Sequence, residues 1–518
     1  MKPFTIACCQ LRAGDLEEAE LSLERILKLL DEAGEKKADL VLLPECSYPA
    51  YYLKSQQPYD RQGVRKYSEI CDLLGQKAKK YGYWLVAGLA APIVNGKLTN
   101  SGVVFDPEGN QCGQYDKTYL WHFDNNWFEE GQSFPVFKTD FVDFGILICA
   151  DGRQPEIART LKLNGAELIV DLTAWVSHGS NVADLYTPQC EYLMPVRAFE
   201  NGVWVAAADK WGTENETIIY AGRSCIINPY GEKVKTAPTE GDMVLTHRFE
   251  GANREIPVPR KPDLYRTLTT TWEKSTAKIL AEEPIIPDRE NHRIGIAELE
   301  DNWFDFETLR SCFYNLRQQD CDIVLIAGLQ APEGWDSSLP ELTTLVREEG
   351  GALSFAVRDK GCTSNETAVF LSAEGTTLHK ATHGREGANG NANAPVISTP
   401  IGNVGILSGD EALVPEIARI LTLEGAEFLL WSAFNKHPMN SKIVQARSDE
   451  NRVYTAGKWP GGGIIASPTG SPILEAPNKT AMAAQVNKSL TRWKDMAPGT
   501  HPLRNLSSAK TEALLRNL

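Results

Sequence analysis

The chain has 518 residues, of which 42% are hydrophobic and 23% are charged, a composition typical of globular proteins and unlike that of disordered or fibrous ones. Its 68 acidic residues outnumber 53 basic residues, which gives a formal net charge of -15. Because phosphate groups attract clustered Lys and Arg, this charge argues against a nucleic acid or an anionic membrane surface as partner. At about 150 residues per domain, the length predicts three or four domains or two large ones.

The cysteine and histidine patterns bear on compartment and cofactors. Eleven cysteines lie mostly in apolar runs without a CxxC pair, which indicates reduced thiols in a cytoplasmic protein. The eight histidines have no metal-ligand spacing, and no nucleotide motif is convincing, so we expect neither a metal nor a cofactor. No segment approaches about 18 consecutive apolar residues, and the first residues lack the pattern of a signal peptide, so we expect no membrane span.

Each half of the chain is predicted to alternate short strands with helices. In chain order, the apolar runs LVLLP, WLVAGLAAP, GVVFDPEG, FGILIC, ELIVDL, VWVAAAD and SCIINPYGE are predicted strands. The predicted helices are LEEAELSLERILKLLDEAGEKKA, PEIARTLKLNGA, LYTPQCEYLMPVRAFENG and, near the middle of the chain, TLTTTWEKSTAKILAEE. Buried strands with intervening helices predict a layered α/β fold.

Three segments of the first half recur in the same order in the second half. The clearest pair is FGILICADGRQPEIARTLKLNGAELIV at 144–170 and VGILSGDEALVPEIARILTLEGAEFLL at 404–430, which align without a gap. Ordered repeats at a similar offset indicate a tandem duplication. We therefore predict one copy at 1–285 and a second copy, with shorter loops, at 290–518.

Three residue types capable of catalysis follow predicted strands of the first copy. Glu45 follows LVLLP, Lys117 lies in YDKTYLW, and Cys149 ends FGILIC. Each alone is more often a structural or solvated residue than a catalytic one. In the second copy Gly328 replaces the Glu and Gly409 replaces the Cys, while the surrounding apolar positions persist. A copy that keeps its apolar framework but loses both reactive groups is predicted to be catalytically silent.

The motifs LVLLPE, YDKTYL and GILICADGRQPE, together with NSGVVFDPEG and VRAFENGVWV, resemble those of the nitrilase, or carbon–nitrogen hydrolase, superfamily. The resemblance covers nearly the whole chain in two copies. It implies an α/β fold with two αββα sandwich domains, packed as an intramolecular pseudo-dimer (αββααββα) as homodimers of the family are. In this reading the second copy is a degenerate domain.

The resemblance also implies a cysteine-dependent amidohydrolase without a cofactor. Cys149 is the nucleophile, Glu45 the general base, and Lys117 with the backbone N–H of Ala150 the oxyanion-binding groups. Because Cys149 lies at a strand-to-helix turn, we expect the helix N-terminus to lower its thiol pKa.

A second acidic residue of the family, a Glu between the lysine and the cysteine, has no direct counterpart in this chain. Counting back from Gly131 places Asp124, Asn125 or Asn126 near that position, and Asp124 is the candidate.

The residues after the nucleophile bear on the substrate. Nitrile-hydrolysing members have Trp-Glu there, whereas this chain has Ala-Asp, so nitriles are disfavoured. Arg153 resembles an Arg of omega-amidases and N-carbamoyl amino acid hydrolases and would pair with a substrate carboxylate. An Arg tied to Glu156 or to a neighbouring loop is the alternative. Trp175 and His178 are candidate pocket residues, with a core Trp and a loop His as alternatives.

The expected function is therefore hydrolysis of a carbon–nitrogen bond in a small linear amide, of the amidase or omega-amidase type, through a thioester. N-carbamoyl amino acid hydrolysis and a catalytically silent binding or scaffold protein are the alternatives. The expected partner is a small amide or ureido substrate, and association into a homo-oligomer stays open. In the second copy, Lys380 of LHKATHG is expected at the place of the lysine.

Overall fold

The structure is a computed structural model that describes residues 1–93, 96–177, 179, 181, 184–251, 253–287, 290–362, 365–384, 390–477, 481–504, 506 and 508–516. The chain divides into two compact units. The first unit is Met1–Glu255 with Ala497–Thr500, and the second is Ile256–Met496 with His501–Asn517.

Within the residues that the structure describes, the first unit has thirteen strands and four α-helices. The strands are β1 (Phe4–Arg12), β2 (Leu40–Tyr48), β3 (Trp84–Pro92), β4 (Leu98–Phe105), β5 (Gln111–Asp116), β6 (Val136–Lys138), β7 (Asp143–Ile148), β8 (Leu168–Thr173), β9 (Trp204–Glu214), β10 (Ile218–Ala221), β11 (Cys225–Ile227), β12 (Lys233–Thr236) and β13 (Met243–Phe249). The helices are α1 (Ala19–Glu35), α2 (Tyr67–Tyr81), α3 (Pro155–Leu163) and α4 (Met194–Asn201).

The strands of the first unit form two facing layers joined at one edge. Their order is β5-β4-β3-β2-β1-β9-β8-β7-β6, and β13 pairs with β1. Since β2 contacts β8 and β9, and β4 contacts β7, the two halves of this sheet pack face to face. Helices α1 and α2 cover β1 to β3, and α3 and α4 cover β7 and β9. The first unit is therefore an αββα sandwich.

The described part of the second unit has thirteen further strands and six α-helices. The strands are β14 (Asn291–Ala297), β15 (Ile323–Ile326), β16 (Leu329–Ala331), β17 (Ala352–Asp359), β18 (Glu366–Ser372), β19 (Gly375–Lys380), β20 (Val396–Thr399), β21 (Gly402–Ser408), β22 (Phe428–Ser432), β23 (Tyr454–Trp459), β24 (Gly462–Ala466), β25 (Pro472–Ala476) and β26 (Met482–Asn487). The helices are α5 (Thr276–Ala281), α6 (Phe306–Arg317), α7 (Leu339–Glu349), α8 (Pro415–Leu423), α9 (Asn440–Asn451) and α10 (Ser508–Glu512).

Two separate sheets make up the second unit. Their orders are β19-β18-β17-β15-β14-β26 and β20-β21-β22-β23-β24-β25. Ile294 and Phe370 of the first sheet share one apolar core with Val404 and Phe428 of the second, so the sheets face each other. Helices α6 and α7 cover the outer face of the first sheet, while α9 packs on β23 and β24. The expected αββα sandwich is thus present in this unit as well.

The segment between the copies differs from its sequence-based expectation. The structure groups residues 256–285 with the second unit, whereas the sequence suggested a join near 280–291. The helix expected over TLTTTWEKSTAKILAEE is limited to α5, preceded by short 3₁₀ turns at Arg266–Thr269 and Trp272–Lys274. Clustered threonines explain this, because β-branched residues lose side-chain freedom in a helix. The hydroxyl of Ser275 then caps α5 by accepting from the N–H of Lys278.

A buried ion pair on a helix recurs at the same place in both units, and we call it the helix brace. In each brace an arginine Nη1 lies 2.6 Å from a glutamate Oε1 three residues further on. The arginine Nε also donates to a backbone carbonyl of the turn after β7 or β21, at 3.0 and 2.9 Å. The braces are Arg197–Glu200 in α4 and Arg447–Glu450 in α9. Two chains of independent origin would not be expected to share this arrangement.

Within the described ranges, no helix is both long enough and apolar enough to cross a bilayer.

Candidate active site

Two of the three sequence-predicted catalytic residues meet directly in the interior of the first unit. Glu45 lies in β2 and Lys117 directly follows β5, and both side chains are fully buried. The Lys117 Nζ is 2.7 Å from the Glu45 Oε1. An irregularity of β2 between Leu43 and Tyr48 accompanies this placement. Gly88 on β3 makes room for it, since a Cβ there would lie 2.1 Å from a β2 carbonyl oxygen.

Asp124 completes a buried charged cluster around Lys117. It lies in the 3₁₀ helix His122–Asn126, and its Oδ2 is 2.6 Å from Lys117 Nζ. The N–H of Trp121 also donates to this Oδ2, at 2.9 Å. The structure therefore brings the candidate second acid against the lysine, whereas Asn125 is bonded through its side chain to the carbonyl of His122 and is exposed.

The remaining contacts of Glu45 orient its carboxylate. Asn100 of β4 donates from Nδ2 to Glu45 Oε1 at 2.7 Å, and the Cys46 thiol donates to the Asn100 carbonyl oxygen at 3.3 Å. Glu45 Oε2 is buried and finds no hydrogen-bond partner within the described ranges. One oxygen of Glu45 is thus held by Lys117 and Asn100, and the other is available to a substrate, a thiol or a water molecule.

Burial and charge act in opposite directions on these groups. Burial raises the pKa of Glu45 above its ordinary value, against the opposing effect of Lys117. Burial alone would lower the pKa of Lys117, but the carboxylates of Asp124 and Glu45 outweigh burial and raise it well above its usual range. Lys117 is therefore a fixed cation, and Glu45 is a carboxylate prepared to accept a proton.

Cys149 follows β7 on a strained turn. It has a φ of 48°, a left-handed conformation that is uncommon for a residue other than glycine. Its N–H donates to Asp171 Oδ1 at 3.0 Å, and its carbonyl accepts from Gln189 Nε2 at 2.6 Å. Its side chain is 8% exposed, whereas Glu45 and Lys117 are 0% exposed. Cys149 is thus the member of the set that retains access from outside.

The expectation of a lowered thiol pKa for Cys149 is wrong. Burial raises it well above the usual value, the Glu45 carboxylate raises it further, and Lys117 lowers it only in part. The helix N-terminus cannot offset this, because Cys149 is the first residue of a five-residue 3₁₀ helix and α3 begins only at Pro155. Since the charges of Glu45 and Lys117 both shift the pKa of the thiol, the sulfur lies within electrostatic range of both side chains. Because its pKa is raised, the thiol is a neutral S–H.

Asp151 fastens the lysine loop to the turn of Cys149. Its carboxylate accepts from the Tyr115 hydroxyl at 2.8 Å, the Tyr119 N–H at 2.9 Å and the Ile148 N–H at 2.9 Å. Because Tyr115 and Tyr119 flank Lys117, this single buried carboxylate fixes the distance between the lysine and the cysteine segments.

The candidate substrate-binding residues have different surroundings. Ala150 is buried at the second position of a 3₁₀ helix, so its N–H has no acceptor within that helix. Arg153 is 8% exposed and places its guanidinium carbon 4.8 Å from the centre of the Trp121 ring. Trp175 is fully buried, and its backbone N–H donates to Asp209 Oδ1 at 2.9 Å. His178 lies outside the described residues.

Sequence reasoning missed three polar residues that hold the site together: Asn100, Asp151 as an anchor, and Asp171. Burial raises the pKa of Asp171 well above its usual value. A signal for Asn100 was present, since a polar residue interrupts the apolar strand LTNSGVVF. The repeat offered a signal for Asp151, because the second copy keeps an acid, Glu411, at the aligned position.

The second copy has lost all three reactive groups. Thr382 donates its N–H to Glu411 at 2.8 Å, as Thr118 does to Asp151 at 3.2 Å, which identifies Ala381 as the counterpart of Lys117. The expectation for Lys380 is therefore wrong. Lys380 pairs across strands with Thr367, as Asp116 pairs with Ser101, so Lys380 corresponds to Asp116, the residue before Lys117. The side chain of Lys380 is exposed. Each reactive residue of the first copy thus has an unreactive counterpart in the second: Glu45 and Gly328, Lys117 and Ala381, Cys149 and Gly409.

The site has no feature of a metal centre. In the part of the chain that the structure describes, no group of three or more His, Cys, Asp or Glu side chains has a geometry that could hold a metal ion.

Comparison with known proteins gives matches over both copies. The profile of the carbon-nitrogen hydrolase family matches residues 5–252 and 283–495. An omega-amidase, NIT2 of Xenopus tropicalis, is 30% identical over 286 residues, which are 51% of this chain and 98% of that protein. A nitrilase of Pyrococcus abyssi is 33% identical over 222 residues, which are 42% of this chain and 80% of that protein.

Among solved structures, an amidase from Nesterenkonia sp. aligns with a TM-score of 0.42 and 25% sequence identity, covering 48% of this chain and 90% of that chain. Because the family profile matches most of the chain in two successive segments, the protein belongs to the carbon–nitrogen hydrolase family, the nitrilase superfamily, as a tandem duplication.

Proposed function

We propose that the first unit hydrolyses small linear amides through a thioester on Cys149. The observation that carries this proposal is the buried cluster of Glu45, Lys117 and Asp124, with contacts of 2.7 and 2.6 Å, beside a cysteine on a strained turn. A carboxylate, a fixed cation and a thiol are the groups that acyl transfer from an amide requires.

The first half of the reaction forms the thioester. Because the thiol is neutral, Glu45 takes the Cys149 proton as the sulfur attacks the amide carbon. The negative charge that develops on the amide oxygen is stabilised by Lys117 Nζ and the Ala150 N–H. Glu45 then returns the proton to the leaving nitrogen, and ammonia or an amine departs as the carbon–nitrogen bond breaks.

The second half releases the acid. Glu45 accepts a proton from water while the water oxygen attacks the thioester carbon, and the same two donors stabilise the second oxyanion. Collapse of this intermediate breaks the carbon–sulfur bond and restores the thiol. Asp124 positions Lys117 throughout, since its Oδ2 accepts a hydrogen bond from the ammonium at 2.6 Å.

For the substrate, we propose a short amide that carries a carboxylate at its far end, as omega-amidase substrates do. Arg153 supports this choice, because its guanidinium lies over the ring of Trp121, and the backbone N–H of the same residue donates to Asp124. The guanidinium thus contacts a residue that is bonded to the charged cluster. An N-carbamoyl amino acid is the alternative, since it also carries a carboxylate.

Ammonia release from a panel of four compounds tests the proposal: succinamate, butyramide, an N-carbamoyl amino acid and butyronitrile. The expected order is succinamate above butyramide, with no release from the nitrile. Added hydroxylamine should divert the thioester to a hydroxamate, which the thiol chemistry requires. Absence of ammonia from every compound would contradict amide hydrolysis, and preference for the ureido acid would select the alternative.

The role of Arg153 has its own test. Arg153→Gln should raise the KM for succinamate by about tenfold or more while leaving the KM for butyramide nearly unchanged, because it removes one charge-assisted contact. Arg61→Gln, a change at an exposed arginine that contacts Glu17, is the matched control. An equal effect of Arg153→Gln on both substrates would assign the residue to structure.

A further inference from the structure

The second unit contains a cavity of about 360 Å³ at the position that corresponds to the catalytic turn of the first unit. Gly409, the counterpart of Cys149, lies in its wall, together with Trp431 and Phe434. Arg358 and Lys436 supply cationic groups to the same wall. A cavity of this size lies within the range of small-molecule sites in proteins.

The places of two lost reactive side chains are occupied by new ones. A Cβ on Gly409 would lie 1.5 Å from Glu366 Oε2, so the Glu366 carboxylate fills the space of the former nucleophile. A Cβ on Gly328 would lie 2.7 Å from the Phe434 ring, so that ring fills the space where the glutamate began. The second copy has therefore been relined with different chemistry.

Arg358 is the charged group at the centre of the new lining. It pairs across strands with Glu366 and forms a buried ion pair with it, where the first unit has Ala90 opposite Asn100. Its guanidinium carbon also lies 4.1 Å from the centre of the Phe434 ring. These two contacts fix the orientation of the guanidinium.

The hydrogen-bonding capacity of Arg358 is only partly used. Its side chain is 11% exposed, and its Nε is buried without a hydrogen-bond partner among the described residues. A buried donor without an acceptor costs free energy, which a ligand with acceptor oxygens would recover. Burial raises the pKa of Glu366 to about 7, so near neutral pH the arginine is only partly neutralised by its partner.

The rest of the lining narrows the class of ligand. Lys436 is exposed and forms no ion pair with any residue that the structure describes, so it offers a second cation. Trp431 donates its indole N–H to the Gly409 carbonyl at 2.7 Å, which leaves its ring to the cavity as an apolar surface beside Leu413. An anionic head next to a short apolar body fits this combination.

We propose that the second copy is a binding site for a small organic carboxylate, whose oxygens are held by Arg358 with Lys436 nearby and whose carbon chain lies against Trp431 and Leu413. Asp410 also lines the cavity, so a carboxylate that carries an ammonium group belongs to the same class. The proposal does not depend on amide hydrolysis by the first copy.

Isothermal titration of the full-length Cys149→Ala protein tests the site without turnover. The probes are butyrate, succinate and 4-aminobutyrate, with butyramide as a neutral control of the same length and inorganic phosphate as an anion of another class. At least one carboxylate should bind with a Kd near or below about 1 mM, and butyramide and phosphate should bind at least tenfold more weakly. No carboxylate binding, or equal binding of phosphate, would overturn the proposal.

Two variants locate the binding in the second copy. Lys436→Ala changes an exposed side chain and should weaken carboxylate binding by about tenfold, the usual scale of one charged contact. The double variant Arg358→Gln/Glu366→Gln removes both charges of the ion pair while keeping similar side-chain volumes. It should abolish carboxylate binding. Carboxylate binding that is unchanged in both variants would overturn the proposal, because it would then belong to another site. Ammonia release by the same variants on a wild-type Cys149 background keeps this result separate from the proposed hydrolysis.

Discussion

The turns after β7 and β21 have the same backbone and different chemistry. Cys149 has a φ of 48° and Gly409 a φ of 50°, so the left-handed turn is present in both units, and only the cysteine is strained by it. A buried acid two residues later, Asp151 or Glu411, accepts N–H groups from the turn and from the neighbouring loop in both units. Only the first turn carries a nucleophile.

The comparison teaches which residues packing requires and which it does not. The helix braces and the acid anchors hold buried strands and helices together, so each unit needs them in order to fold. The reactive groups are not needed for folding, because Glu366 and Phe434 fill their space in the second unit. The residues that hold each unit together are thus distinct from the reactive residues of the first unit.

After loss of the nucleophile itself, the largest expected effect concerns the base that only the first unit has. Glu45→Gln keeps the shape of the side chain and its contacts with Lys117 and Asn100 but removes the proton acceptor. Ammonia release should fall by about 10²- to 10⁴-fold, the usual contribution of a general base. Glu129→Gln, at an exposed carboxylate that contacts Lys97, is the control and should retain the rate. A fall of less than tenfold for Glu45→Gln would contradict the role of the base.

The two helix braces should contribute equally to the stability of their units, but only the brace of the first unit should affect amide hydrolysis. Arg197→Met and Arg447→Met each leave a buried glutamate without its arginine, which should lower the free energy of unfolding of the respective unit by about 3–5 kcal/mol. Only Arg197→Met should also reduce amide hydrolysis, because Arg197 holds the carbonyl of Gly152 next to the nucleophile turn.

Calorimetry combined with hydrogen exchange resolved by unit measures both braces. Arg65→Met, which breaks an exposed ion pair with Glu20, is the matched control and should cost about 1 kcal/mol or less. A loss of hydrolysis of the same size from Arg447→Met would contradict the division of roles between the units.

Restoring the cysteine to the second unit should not restore catalysis. In a Cys149→Ala background, Gly409→Cys should lower stability by about 2 kcal/mol or more, because it places a side chain at positive φ and against the Glu366 carboxylate. Adding Glu366→Ala should recover part of the stability but no activity, since Gly328 and Ala381 still replace the base and the lysine. Thermal unfolding and ammonia release measure the two effects. Ammonia release by either variant would show that the second site is closer to function than the geometry indicates.

The pH profile gives the smallest and most specific effect. Glu45 must be deprotonated to act as a base, and burial raises its pKa above the ordinary 4.5. As the pH falls through that raised pKa, kcat/KM should fall tenfold per pH unit, so the acid limb should lie above pH 4.5. A kcat/KM that stays constant down to the ordinary carboxyl pKa would contradict a buried Glu45 as the base.

Much of the architecture could be predicted from the sequence, because the two copies repeat the same apolar segments in the same order. Apolar strands, the repeated PEIAR segment and the ordered echoes predicted two αββα units, and the family profile matches in two segments. The helix predicted over 267–283 is present only as α5, because the apolar pattern was weighed without the cost of its threonines. Interior polar anchors such as Asp171 were missed because their partners are backbone groups, which a sequence pattern does not show.

The candidate site was predictable in its members but not in its electrostatics. Motif resemblance identified Glu45 and Lys117, whose direct contact depends on strands far apart in the chain. The pKa of Cys149 was misjudged because a helix N-terminus is visible in a sequence, whereas the degree of burial is not. The misplacement of Lys380 has a similar origin, since a one-residue shift at a strand end turns a side chain from the interior to the surface.

Ammonia release by the Cys149→Ala protein tests the central claim that catalysis resides in the first copy alone. The account predicts a loss of about 10⁴-fold or more, since no other group can form the thioester. The variant Cys112→Ala, which changes an exposed thiol of the same unit, should keep the wild-type rate. Retention of a tenth or more of the wild-type rate by Cys149→Ala would contradict the account, because it would place the chemistry in another residue or in the second copy.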